Sequence, residues 1–106
     1  MMKIYGLKNC DTCRKAIKAL QEAELVDVRA DGVPDEVLHA ALERFDSALL
    51  NTRSTTWRGL SDAEKALAPL ELLKAYPTLM KRPLIEAGGA YYLGWTTEIQ
   101  ASLSKA

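Results

Sequence analysis

Cys10 and Cys13 sit in the segment Asn9-Cys10-Asp11-Thr12-Cys13-Arg14 of a 106-residue chain, and their three-residue spacing is the first chemistry the sequence offers. Thiol-disulfide exchange needs a thiolate that attacks a disulfide and a second thiol able to reach the mixed disulfide that forms. At a helix start this spacing brings two sulfurs together. The unpaired N–H groups and dipole there favour the thiolate, lowering its pKa from the free value of about 8.5. Lys8 and Arg14 flank Cys10 with positive charge. Cys10 is therefore the expected nucleophile, and Cys13, within the first turn and less exposed, the expected resolving thiol. The alternative, two unreactive small side chains with one of them buried, is weakened by their position between a strand and a helix. Zinc is a poor reading unless subunits share the ion. A structural site needs roughly four Cys or His ligands, and the chain adds only His39 to its two cysteines. No metal is expected.

The 14 Lys and Arg balance 14 Asp and Glu, so no long-range field steers the molecule toward nucleic acid or an anionic membrane. Function must come from a local site. With 48% hydrophobic residues the chain can build one core, and a single domain over residues 1–106 is expected. The opening MMKIYGLKNC lacks the apolar stretch of a signal peptide, and no apolar run approaches the ~20 residues that span a bilayer. A soluble, cytoplasmic protein with no direct nucleic-acid or membrane partner is the expectation.

The elements that would hold the cysteines can be read in order. Lys3 to Leu7 is a first strand ending near Lys8; Ala16, Ile17, Ala19, Leu20 and Ala23 recur at helical spacing and predict a helix over about 12–23. Leu25 to Arg29 alternates as a half-buried strand, closed by the turn pair Asp31-Gly32. Pro34 opens a helix whose stripe is Val37, Leu38, Ala41, Leu42 and Phe45, with His39 on the opposite, solvated face. From Ala48 to Gly59 the chain is polar and hydroxyl-rich, a loop or short irregular helical stretch. Ser61 with Glu64 forms a capping box for a helix from Asp62, and Pro69 opens another that ends before Pro77. Leu84 to Glu86, Gly88-Gly89 and Tyr91 to Leu93 describe a hairpin, after which Thr96 caps a last helix with Ile99 and Leu103 inward. Strand, helix, strand implies a parallel pair, and the hairpin an antiparallel pair. The expected fold class is α/β, a mixed four-stranded sheet with helices on its faces.

Several blocks, in order, resemble a known family: Tyr5-Gly6-Leu7-Lys8-Asn9-Cys10-Asp11-Thr12, Leu49-Leu50-Asn51-Thr52-Arg53, Thr56-Trp57-Arg58, Tyr76-Pro77 and Lys81-Arg82-Pro83-Leu84-Ile85. The chain is similar to the arsenate reductase (ArsC) and Spx superfamily, and within it to the YffB-like proteins. The resemblance implies a thioredoxin-like sheet with a helical insertion at about residues 35–78, Cys10 as the nucleophile and Pro83 as a cis-proline facing the redox turn. It also implies that Arg14, Arg53 and Arg82 belong to an anion-binding group, a role that suits the planar guanidinium fork. Two positions depart from the arsenate-reducing pattern: Gly6 stands where those reductases have a histidine, and Gly94 where they have a third arginine. The substrate then shifts toward glutathione or another anionic thiol, with Trp57 and Tyr92 as candidates to line its groove.

The leading expectation is a glutathione-dependent thiol-disulfide oxidoreductase, a monomer with no bound cofactor, using glutathione as co-substrate and glutathione or a protein disulfide as partner. The alternatives are an Spx-like redox-sensing regulator docking on RNA polymerase, for which the neutral chain offers no visible extra element, and arsenate reduction, weakened by Gly6 and Gly94.

Overall fold

The computed structural model describes residues 2–104, with side chains to Leu103. The chain divides into two compact units, one taking in the chain up to Val28 and again from Arg82 onward, the other Arg29–Lys81.

The first unit is built on a four-stranded sheet in the order β2-β1-β3-β4, formed by β1 (Met2–Gly6), β2 (Glu24–Asp27), β3 (Leu84–Ala87) and β4 (Ala90–Leu93). β1 and β2 run parallel, joined through helix α1 (Asp11–Ala19), while β1 with β3 and β3 with β4 are antiparallel. This is the mixed four-stranded α/β sheet, of the thioredoxin-like kind, expected from the element order and the resemblance. Register places Leu25, Ile4, Ile85 and Tyr92 in one row across all four strands. Because strand side chains alternate in direction, that row shares one face. Ala16 and Leu20 of the α1 segment cover it together with Leu103 and Ile99 of the last helix. Gly88 and Gly89, with φ of 58° and 83°, make the turn between β3 and β4. Such a two-residue turn with positive φ at both positions matches the twist of the flanking strands.

Two predicted boundaries move. Helix α1 stops at Ala19, four residues short of the expected end, since the turn at Gln21–Glu22 must bring the chain back to start β2 at Glu24. Ala23 keeps its inward position in the apolar cluster without being helical. β2 ends at Asp27, where its partner Gly6 ends β1. Beyond it Val28–Asp31 forms a helical turn, α2, that buries Val28 completely.

The second unit is helical. It holds α3 (Asp35–Phe45), a 3-10 turn at Asp46–Leu49, α4 (Thr55–Arg58), α5 (Asp62–Lys65), α6 (Pro69–Ala75) and a 3-10 turn at Pro77–Leu79. α3 packs on α6, burying Val37, Leu38 and Ala41 on one and Leu72 and Leu73 on the other, while His39 is exposed as its helix position requires. The capping box is complete: Ser61 Oγ accepts from the Glu64 N–H at 3.2 Å, and Glu64 Oε1 accepts from the Ser61 N–H at 3.0 Å. The final helix, α7 (Thr97–Ser104), belongs to the first unit and is capped by Thr96 Oγ1, which accepts the Ile99 N–H at 3.2 Å.

Candidate redox site

Cys10 is the N-cap of α1, with extended backbone (φ −89°, ψ 123°), and its carbonyl accepts the Arg14 N–H at 2.9 Å. Here the first-turn amides lack helical partners, so they point at whatever anion the N-cap side chain can offer. The Cys10 thiol is half-buried, and burial, the largest single influence, pushes its pKa up. The N–H of Cys13, the Cys13 thiol, the N–H of Thr12 and the charge of Arg82 outweigh burial and hold Cys10 below the ordinary thiol value. Cys13, one helical turn on, is fully buried. Burial pushes its thiol up to about 11, with its hydrogen bond to the Cys10 sulfur and the Cys10 charge adding to the rise. The Leu7 N–H and Arg82 pull it the other way. Two thiols three residues apart are thus driven in opposite directions, one toward thiolate and the other toward thiol.

Space at this turn is set by Gly6. A Cβ built on Gly6 would lie 2.5 Å from Cys13 Sγ and 3.4 Å from Cys13 Cβ, so the sulfur fills the volume a side chain would take. Glycine within a strand often marks such close approach. In the sequence Gly6 stands out only as a departure from a family pattern; its place at the end of a strand is the signal that could have found it.

The Arg82–Pro83 bond is cis, as the resemblance implies, and Pro83 is fully buried. The Pro83 carbonyl accepts the Gly94 N–H at 2.8 Å, tying this segment to the residue after β4. Gly94 has φ +91°, a conformation that an L side chain adopts only with strain. Cys10, Cys13, Arg82 and Pro83 all lie in the first unit, and Arg82 acts on both thiols.

Arg14 acts locally, its Nε donating to the Lys8 carbonyl at 2.9 Å and fastening helix α1 to the turn before it. Arg53 belongs to the second unit. Its N–H donates to Asn51 Oδ1 at 3.2 Å, and with Lys81, Leu50, Asn51 and Thr52 it lines a cleft of about 400 Å³. Backbone bonds from Asn51 N–H to the Leu79 carbonyl (2.8 Å) and from Lys81 N–H to the Leu49 carbonyl (2.7 Å) brace that cleft. Trp57 lies under the Lys65 ammonium at 5.5 Å, and Tyr92 packs on the apolar cluster of the sheet. Among the described residues no three of His, Cys, Asp and Glu gather as metal ligands would, and no helix is long and apolar enough to cross a membrane.

Comparison with known proteins places these features in company. A family model described as the ArsC family matches residues 5–101. An uncharacterized protein of Haemophilus influenzae (strain ATCC 51907 / DSM 11121 / KW20 / Rd) is 40% identical over 98% of this chain and 100% of its own. Among solved structures, a YFFB protein is 33% identical, with a TM-score of 0.87 over 96% of this chain and 97% of its own. A possible arsenate reductase from Streptococcus mutans UA159 is 25% identical, with a TM-score of 0.74 over 92% of each chain.

Proposed function

The chain belongs to the ArsC family, and from that premise we propose that it is a glutathione-linked thiol-disulfide reductase whose nucleophile is Cys10. One observation carries this reading: Cys10, at the mouth of α1, is held toward thiolate by the amides of Thr12 and Cys13, the Cys13 thiol and Arg82. A thiolate is the attacking species in disulfide exchange. Cys10 Sγ attacks one sulfur of a disulfide, the bond between the two substrate sulfurs breaks, and the departing sulfur takes a proton to leave as a thiol. The bond now joining Cys10 to the retained sulfur is broken in turn by a second thiol. If that thiol is glutathione, Cys10 is released reduced and the retained group leaves as a disulfide with glutathione. If it is Cys13, the retained group leaves as a thiol, and two glutathione thiols reduce the Cys10–Cys13 disulfide while becoming oxidised glutathione.

Arsenate is the weaker substrate. The positions that would complete such a site are Gly6, whose side-chain volume is filled by the Cys13 sulfur, and Gly94, with its positive φ. Arg82 beside the thiols offers positive charge to an anionic thiol, and a reducing cytosol would keep the pair ready. The test is the Cys13→Ser variant incubated with oxidised glutathione and followed by mass spectrometry. A glutathione adduct on Cys10 that persists in this variant and turns over in the parent is expected. Absence of any adduct on Cys10 of the variant and on both cysteines of the parent would refute the proposal.

A further inference from the structure

We infer that Gly6 is a positioning residue of this redox site: its missing side chain is the space the Cys13 sulfur occupies, and that packing holds the Cys13 thiol on the Cys10 sulfur. The inference rests on the reductase reading and gives a role to a residue outside the Cys-x-x-Cys turn. The geometry is direct. An alanine at position 6 would bring its methyl carbon to 2.5 Å from Cys13 Sγ, well inside the ~3.5–4.0 Å at which nonbonded heavy atoms rest. Gly6 is buried at the end of β1, held between Asp27 of β2 and the turn that leads to α1, and Cys13 has no exposed surface. Neither side has solvent to move into.

Of the two close atoms, the sulfur is the one free to turn. Cys13 Cβ lies at 3.4 Å from the added carbon, within ordinary contact, so rotation about the Cα–Cβ bond relieves the overlap without moving the helix. That rotation swings Sγ away from the Cys10 sulfur, to which it donates, and from the Leu7 N–H, from which it accepts. Two consequences follow for Cys10. Its thiolate loses a hydrogen-bond donor. Its mixed disulfide loses the neighbour that resolves it, a step in which Cys13, having given up its proton, bonds to Cys10 Sγ while the substrate sulfur leaves and takes a proton.

The interaction is between two residues, so its test is a pair of substitutions. The parent, Gly6→Ala, Cys13→Ala and the double variant are compared by the pH profile of Cys10 alkylation and by the lifetime of the Cys10 adduct formed from oxidised glutathione. Gly6→Ala should move the alkylation profile upward toward that of Cys13→Ala. It should also lengthen the adduct lifetime by about a hundredfold, the scale set by a roughly 1 Å misplacement of a reacting group. In the Cys13→Ala background, where the sulfur is gone, Gly6→Ala should change neither reading. Parent-like behaviour of Gly6→Ala overturns the inference, as does an equal effect of Gly6→Ala with and without the Cys13 sulfur. If Gly6→Ala alone does not fold, the double variant decides: it should fold and melt no lower than Cys13→Ala, and failure to do so overturns the inference. A parent protein that forms no adduct refutes the reductase reading and the inference with it. A parent that forms a short-lived adduct, matched by Gly6→Ala, refutes the inference alone.

Discussion

Raising the pH from 9 to 11 under reducing conditions should cost the folded protein stability through one buried thiol. Cys13 is pushed up to about 11 from an ordinary 9.0, first by burial and then by the neighbouring Cys10 sulfur. A group with a raised folded pKa contributes stability that is fully present below its unfolded value and is lost as the pH climbs through the folded one. In the unfolded chain Cys13 ionises freely above 9, whereas in the folded protein it stays a thiol until about 11. At about 1.4 kcal/mol for each pKa unit the full loss is about 3 kcal/mol, of which about 2 kcal/mol falls between pH 9 and 11, because the unfolded and folded midpoints lie at the edges of that window. Cys10 works in the opposite sense, since its folded pKa is lowered. Its contribution is complete above the unfolded thiol value and disappears as the pH falls through its own. A pH unit or more above 9 Cys10 is ionised in both states and adds no slope, which leaves the upper part of the alkaline limb to Cys13. The assay is urea unfolding at pH 9, 10 and 11 with a reductant present, on the parent and on Cys13→Ala. Tyr5, raised by its burial, and Tyr76, raised by its bond to Glu64, titrate in both proteins and cancel in the comparison. The stability gap between parent and variant should shift by about 2 kcal/mol across the window. Parallel curves would show that Cys13 is not held as a thiol by the fold.

Three further outcomes are expected. Arg82→Gln removes a charge that favours both thiolates, so Cys10 should alkylate more slowly at pH 7 and its pH profile should move up, with Arg82→Lys restoring it; an unmoved profile would place the guanidinium too far away to act. Ser54 caps α4 by accepting the Trp57 N–H at 3.2 Å, and Ser54→Ala should lower stability in urea by about 1 kcal/mol, whereas no change would show the cap to be idle. Gly94→Ala meets no atom within 4 Å but must adopt φ +91°; thermal unfolding should reveal a loss of about 1–3 kcal/mol from backbone strain alone, and an unchanged melting temperature would refute it.

Much of the local structure was legible in the residues because its causes are local. Ser61 and Glu64 bond each other's amides within one turn, Pro69 occupies the first turn of α6, and Gly88-Gly89 has the positive φ that a two-residue hairpin turn demands. The placement of Cys10 and Cys13 at a strand-to-helix turn was readable for the same reason. Boundaries were less legible. Helix α1 and strand β2 stop where the sheet register and the return of the chain require, and no residue near Ala19 or Asp27 announces that alone.

The chemical inequality of the two cysteines was only partly visible. Helix-start amides act through short-range geometry, so a lowered Cys10 could be read from its position before Asp11 and Thr12. The full burial of Cys13 and the charge of Arg82, which arrives from much later in the chain, depend on how the sheet is assembled. Gly6 shows the division most clearly. In the sequence it was a missing side chain; in the folded protein it is the volume that holds a sulfur, because β1 and α1 must be packed before a Cβ at position 6 and Sγ at position 13 can compete for one place.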